Sequence, residues 1–185
     1  TKIAEPVRVA PQELAPAMTE VTTTPAVEME RPIIEDQELL DIFLEEAQEV
    51  IGTIHSNLDI CRANLQSHDA LLTIRRGFHT FKGSGRMVGL NNLGEVAWNV
   101  ERALNSWLQN KKPATGNLLN FIEVAVQSFA GWVEELGKLG GVRVEASALN
   151  HAAQQLENGL EPIFSSAEAV VHAPENITPT IEFEL

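Results

Sequence analysis

The stretch RRGFHTFKGSGRMVG, residues 75–89, combines the features of a core-forming helix with those of an exposed chemical site. On a helix, Phe78 and Phe81 point toward a core, while cationic side chains recur at steps of three and four on another face. His79 lies within that cationic face. The cations around it are Arg75, Arg76, Lys82 and Arg86. The stretch therefore predicts a helix that displays His79 among positive charges.

Three glycines lie inside this helix, although each costs about 1 kcal/mol of helix stability relative to alanine. Gly83 follows His79 by one turn, so its missing side chain leaves room for a bulky group at the imidazole. Gly85 falls on the buried face, where it allows a neighbouring helix to come close. Gly77 has no explanation in the sequence.

Outward from this stretch, apolar residues recur at steps of three and four, which predicts amphipathic helices. The predicted helices cover about residues 36–64, 69–88, 93–110, 115–138 and 146–160. We predict Asp69 as the cap of the second helix and an asparagine of residues 91–92 as the cap of the third. Because short turns join long helices, neighbours run antiparallel. The expected fold is all-α, an antiparallel four-helix bundle with an additional C-terminal helix.

The two ends of the chain differ from the middle in composition. Residues 1–34 are rich in proline and threonine, and residues 161–185 also contain several prolines. Both read as disordered linkers, with the bundle between them at residues 35–160. Flanking linkers are typical of a module within a multidomain protein, and we expect this chain to be one.

The composition excludes several classes of function. The net charge of −13 argues against binding nucleic acid or an anionic membrane, since both require clustered Lys and Arg. A single cysteine, Cys61, rules out an internal disulfide, and its place on an apolar stripe predicts a buried, unreactive thiol. The sequence shows neither a run long enough to span a bilayer nor a signal peptide. We therefore expect a cytoplasmic protein.

The turn between the second and third helices predicts a partner for His79. The turn centres near Leu90, with His79 eleven residues before it and Glu101 eleven residues after it. In an antiparallel pair the two residues lie at similar heights. Glu101 then accepts a hydrogen bond from one ring nitrogen, which fixes the tautomer and leaves the other nitrogen as a nucleophile.

Residues 79–85 resemble the His-x-x-Lys-Gly signature of histidine phosphotransfer (HPt) domains. Continued through Gly89, the stretch is most similar to HPt domains of CheA-like hybrid kinases in chemosensory systems that govern type IV pili. The first predicted helix, with ELLDIFLEEA at residues 38–47, also resembles the first helix of CheA-type HPt domains. The resemblance covers about residues 36–138, extends at most to residue 160 and leaves out both ends of the chain.

The resemblance implies a role for each matching position. His79 is the phosphorylated histidine, Lys82 contacts the phosphoryl group, Gly83 keeps the ring accessible and Glu101 orients the imidazole. The implied donor is a kinase ATP-binding domain or a receiver aspartate, and the usual acceptor is a receiver domain. Any Mg²⁺ belongs to the partner, so no cofactor or metal is expected on this chain. We expect a monomer whose arginines, Arg75, Arg76 and Arg86, steer an acidic partner.

The expected function is that of a phosphorelay intermediate from a histidine kinase of pilus-based twitching motility. The chain lacks a Gly-Lys-Ser/Thr phosphate loop, so it should not phosphorylate itself. It also lacks the Glu-x-x-His pairs of di-iron bundles. His55, His68, His151 and His172 have no Lys-Gly companion and are not candidates. The alternative is a degenerate HPt-like bundle that docks partners without chemistry.

Overall fold

The computed structural model describes residues 28–32 and 37–162. Within them the chain forms five helices: α1 Gln37–Ala63, α2 His68–Met87, α3 Asn91–Gln109, α4 Gly116–Leu139 and α5 Ser147–Glu157. These residues contain no strand, and their single isolated β-bridge joins Glu30 to Val142. The predicted all-α fold is confirmed, with helix ends within three residues of their predicted positions.

Helix α2, which carries His79, lies between two neighbouring helices. Helix α2 packs against both α1 and α3, α1 also packs against α4, and α5 lies mainly against α3 with a smaller contact to α4. Helix α5 joins the bundle through its buried side chains, Leu149, Ala152, Ala153 and Leu156.

Aromatic rings anchor α2 to α4. Phe78 and Phe81 are buried, as their spacing predicts, and both contact Phe129, with ring centroids 5.5 Å and 4.7 Å apart. Trp132 adds an edge-on contact to Phe129 at 5.1 Å. Because both phenylalanines point inward, the face of α2 that carries His79 is turned toward solvent.

Two glycines of α2 mark close approaches to neighbouring helices. A Cβ on Gly77 would lie 2.8 Å from Cγ1 of Ile54 on α1, which supplies the reason that the sequence lacks. A Cβ on Gly85 would lie 3.0 Å from Cδ2 of Leu93 on α3. At both positions a side chain would crowd the neighbouring helix, so the glycines favour the close packing of α2 against α1 and α3.

The capping predictions for α2 and α3 are wrong. Helix α2 begins at His68 with Ser67 as its N-cap, and no side chain caps it. Asp69 lies in the first turn instead, where its charge favours the positive end of the helix dipole. Helix α3 begins at Asn91 with Leu90 as its N-cap, again without a side-chain cap of its own.

The cap of α3 comes from a distant part of the chain. The carboxylate of Glu30 accepts hydrogen bonds from the backbone N–H groups of Asn92 at 2.7 Å and Leu93 at 3.4 Å. The backbone of Glu30 also exchanges two hydrogen bonds with Val142, at 2.7 and 2.8 Å. Residues 28–32 thus lie against the bundle, although the sequence predicts a disordered linker through residue 34.

Two residues at the start of the predicted C-terminal linker, Glu161 and Pro162, also lie against the bundle. Glu161 accepts a hydrogen bond from the side-chain amide of Asn117 at 2.8 Å, and Pro162 is buried. The composition of a segment cannot predict these contacts, because they are made by single residues at its edge that bind to the bundle. The other residues of the two predicted linkers lie outside the described part of the chain.

Candidate functional site

The imidazole of His79 is exposed on one side and held on the other. Its side chain is 59% exposed, whereas that of Glu101 on α3 is only 4% exposed. Nδ1 of His79 lies 2.8 Å from Oε1 of Glu101. The two residues face each other across the α2–α3 hairpin, as their equal spacing from Leu90 predicts. The hydrogen bond therefore uses one ring nitrogen of a side chain that remains open to solvent.

Three side chains of α2 converge on the Glu101 carboxylate. Besides His79, the ammonium of Lys82 donates to Oε2 at 2.7 Å, and Nη1 of Arg75 lies 3.4 Å from Oε1. Glu101 is the one buried charged residue in the described part of the chain. A buried charge requires such partners because it has lost its hydration.

The protonation state of Glu101 follows from these partners. Burial by itself would raise the pKa of the Glu101 carboxyl, but the hydrogen bonds from Lys82 and His79 outweigh it and lower the pKa below its usual value. Glu101 is therefore ionised at neutral pH. An ionised carboxylate can only accept hydrogen bonds. In the neutral imidazole the proton therefore sits on Nδ1 and the lone pair on Nε2.

The surface beside His79 is open. A Cβ built on Gly83 would meet no atom within 4 Å beyond its own helical turn, and Gly83 is exposed. Met87, one turn further along the helix, is 75% exposed. A partner group can therefore reach the imidazole along this side of α2.

The three arginines predicted to form a docking surface have different surroundings. Arg76 is exposed. Arg86 pairs with Glu95 of α3 at 2.9 Å. Arg75 is 25% exposed and turned toward Glu101. The structure therefore groups Arg75 with the buried carboxylate and leaves Arg76 and Arg86 as exposed charges beside the site.

Two residues of α3 belong to this site although the sequence does not single them out for it. Trp98 is half-buried, and Nζ of Lys82 lies 4.3 Å from its ring centroid. Gly94 lies under Arg86, since a Cβ there would come within 2.7 Å of Cγ of Arg86. The spacing of Trp98 one turn before Glu101 is the signal that could have placed it near Lys82.

The remaining candidate residues lie apart from this site. His55 lies on α1, His68 begins α2, and His151 on α5 contacts Gln155 at 3.3 Å. His172 is outside the described residues. Cys61 is buried, and its burial raises the pKa of the thiol, so thiolate chemistry is disfavoured there.

The described residues contain neither a metal-binding cluster nor a membrane-spanning helix. In residues 28–32 and 37–162, no three His, Cys, Asp or Glu side chains are grouped so that they could hold a metal ion. In the same residues, every helix is too short or too polar to cross a membrane.

Comparison with known proteins points to one family. The model of the Hpt domain family matches residues 38–139, more than half of the chain. The chain is 23% identical over 142 residues to the chemotaxis protein CheA of Listeria innocua serovar 6a and to that of Listeria monocytogenes serovar 1/2a. Each match covers 73% of this chain and 23% of the relative, so the chain spans about a quarter of the length of these curated proteins.

No solved structure matches the chain significantly. The assignment therefore depends on the family model, which covers α1 to α4 and includes both residues of the His79–Glu101 hydrogen bond. The chain belongs to the Hpt domain family.

Proposed function

We propose that His79 accepts a phosphoryl group and passes it to an aspartate of a receiver domain. The observation that carries this proposal is the hydrogen bond of 2.8 Å between Nδ1 of His79 and the buried carboxylate of Glu101, on a ring that is 59% exposed. The bond fixes the ring without covering it. The match to the Hpt domain family and the CheA relatives support a phosphotransfer role in signalling.

The chemistry begins at Nε2, which carries the lone pair of the neutral ring. Nε2 attacks phosphorus in line with the leaving oxygen, so an N–P bond forms while the P–O bond of the donor breaks. The leaving oxygen keeps the electron pair of that bond. The ring becomes positively charged, and Glu101 stabilises this charge through Nδ1–H. Transfer to the receiver reverses these steps, with an aspartate oxygen as the attacking group.

Lys82 provides positive charge one turn from His79. Its ammonium is bound to Glu101 in this structure, and it has further N–H donors for phosphoryl oxygens. Arg75 contacts the same carboxylate, so Glu101 has a second cationic neighbour while the spare donors of Lys82 bind phosphate. Gly83 leaves the space that the phosphoryl group and the partner need.

The partner supplies the rest of the reaction. Phosphoryl transfer depends mainly on positioning and charge neutralisation, and we propose that a receiver domain provides its own Mg²⁺ and aspartate. The proposed donors are a kinase ATP-binding domain or a phosphorylated receiver, with Arg76 and Arg86 steering the acidic partner. We also propose that this monomeric module belongs to a cytoplasmic histidine kinase controlling type IV pili and twitching motility.

The proposal is tested by incubating the domain with a receiver domain phosphorylated by acetyl phosphate, or with a CheA-type kinase and ATP. Intact mass and peptide mapping should show acid-labile, base-stable phosphate on His79, and a fresh receiver should remove it. His79→Gln should take no phosphate, whereas His151→Gln, which changes an exposed histidine on α5, should behave as wild type. A folded domain that takes no phosphate from any donor would favour the alternative, a docking module without chemistry.

A further inference from the structure

Lys82 has a second neighbour besides Glu101. Nζ of Lys82 lies 2.7 Å from Oε2 of Glu101 and 4.3 Å from the centroid of the Trp98 ring. An ammonium within about 6 Å of an indole centroid is attracted by the electron-rich face of the ring. We propose that Trp98 is a positioning residue that holds Lys82 beside His79 in readiness for the phosphoryl group. This inference rests on the proposed function.

An aromatic ring suits this task better than a polar side chain. The ammonium of Lys82 has three N–H donors, of which Glu101 takes one. A second carboxylate or an amide would occupy another donor, and a carboxylate would also cancel the positive charge. The face of Trp98 attracts the ammonium without accepting a conventional hydrogen bond. Lys82 therefore keeps both its charge and its spare donors for phosphoryl oxygens.

The two neighbours order a side chain that is otherwise mobile. Fixing a long, flexible lysine side chain in one rotamer costs conformational entropy. Lys82 is only 17% exposed, compared with 68% for Lys138, which also pairs with a glutamate. Trp98 and Glu101 order Lys82 when the protein folds. The side-chain entropy is therefore lost during folding and does not add to the barrier of the transfer step.

Two residues of α3 close to Trp98 are bonded to α5. The guanidinium carbon of Arg102 lies 6.0 Å from the ring centroid, and Nε of Arg102 donates to Glu157 of α5 at 2.9 Å. The side chain of Asn99, next to Trp98 on α3, also donates to Asn150 of α5 at 3.1 Å. Helix α5 therefore supports the part of α3 that faces Lys82, which gives this helix a connection to the site.

The test combines a spectroscopic readout with transfer kinetics. In the unphosphorylated domain, the ε-methylene protons of Lys82 should be shifted upfield by the ring current of Trp98. Trp98→Leu should abolish the shift, and Trp98→Phe should keep part of it. The rate of transfer from a phosphorylated receiver should fall about fivefold in Trp98→Leu, since about 1 kcal/mol of attraction is lost. Trp98→Phe should restore it to within about twofold.

The double variant separates positioning from general packing. In a Lys82→Gln background, Trp98→Leu should cause no further fall in the transfer rate, because the group that Trp98 holds is gone. An additional fivefold fall there would overturn the inference, as would an unshifted Lys82 resonance in the wild type. A loss confined to KM for the receiver would also overturn it, since the ring would then be contacting the partner.

Failure of the proposed function gives a different pattern. If the wild-type domain takes no phosphate, phosphotransfer is refuted. The upfield shift of Lys82 and its loss in Trp98→Leu still decide whether the ring places the ammonium. Far-UV circular dichroism and thermal melting of each variant show that the helices are retained.

Discussion

Replacing Gly83 by alanine should make the domain more stable and less active. Gly83 lies inside α2, and a Cβ there would meet no atom within 4 Å. The substitution should therefore recover the helix propensity that glycine loses, about 1 kcal/mol, with no offsetting clash. For a domain of this size, that corresponds to a rise in Tm of about 4 °C. The added methyl group lies one turn from His79, so the phosphotransfer rate should fall.

Gly131 provides the matched control. It lies inside α4, is exposed, and also has no atom within 4 Å of a built Cβ. Gly131→Ala should raise the Tm by the same amount and leave transfer unchanged. Thermal melting by circular dichroism and transfer from a phosphorylated receiver measure both properties. A Gly83→Ala domain that is stabilised but transfers at the wild-type rate would refute the view that Gly83 is kept for access. A lower Tm would show that the added methyl group clashes with its surroundings, contrary to the open space beside Gly83.

Other substitutions test packing, capping and charge. Gly77→Ala should lower the free energy of unfolding by about 1 kcal/mol in urea melts. The new Cβ would lie 2.8 Å from Cγ1 of Ile54, and this crowding outweighs the gain in helix propensity. Unchanged or higher stability would contradict this. Glu30→Ala should lower the free energy of unfolding by about 1 kcal/mol, because the cap of α3 is lost. Glu28→Ala, which changes an exposed neighbour, should leave it unchanged, and equal effects of the two substitutions would refute the capping role of Glu30. Glu101→Gln should be less stable than wild type at neutral pH, and urea melts should show the difference shrinking as the pH falls below about 4.5.

The sign of the pH effect follows from the lowered pKa of Glu101. In the unfolded chain the carboxyl titrates near its usual value of 4.5, and in the folded protein it titrates lower. Between the two values the unfolded state binds more protons, so acid favours unfolding. The stabilisation from Glu101 is therefore complete above the unfolded pKa and is lost as the pH falls through the folded one. A wild-type advantage that grew on acidification would contradict the assignment.

Much of the site could be predicted because it depends on local periodicity. Helices α2 and α3 have the same rise per residue and a short turn between them, so equal counts from Leu90 bring His79 and Glu101 to the same height. The burial of Phe78 and Phe81 follows from the same spacing. These predictions need only one helix pair and no knowledge of the rest of the bundle.

The features that the sequence does not reveal depend on residues far apart along the chain. Gly77 is explained by Ile54 of α1, and the cap of α3 is supplied by Glu30, 62 residues before Asn92. Helical periodicity cannot report which distant side chain fills a gap. The grouping of Arg75 with Glu101 is a similar case, since α2 presents several cations and only the packing of α3 selects among them.

We propose that Glu101 holds Nδ1 of His79 and leaves Nε2 free to react. The most direct measurement is a ¹⁵N–¹H NMR spectrum of the domain labelled at histidine, recorded before and after phosphorylation by a receiver. The spectra should show Nδ1–H before the reaction and phosphorus on Nε2 of His79 afterwards, and both signals should be disturbed in Glu101→Gln. Phosphorus on Nδ1, or a neutral ring with its proton on Nε2, would contradict it.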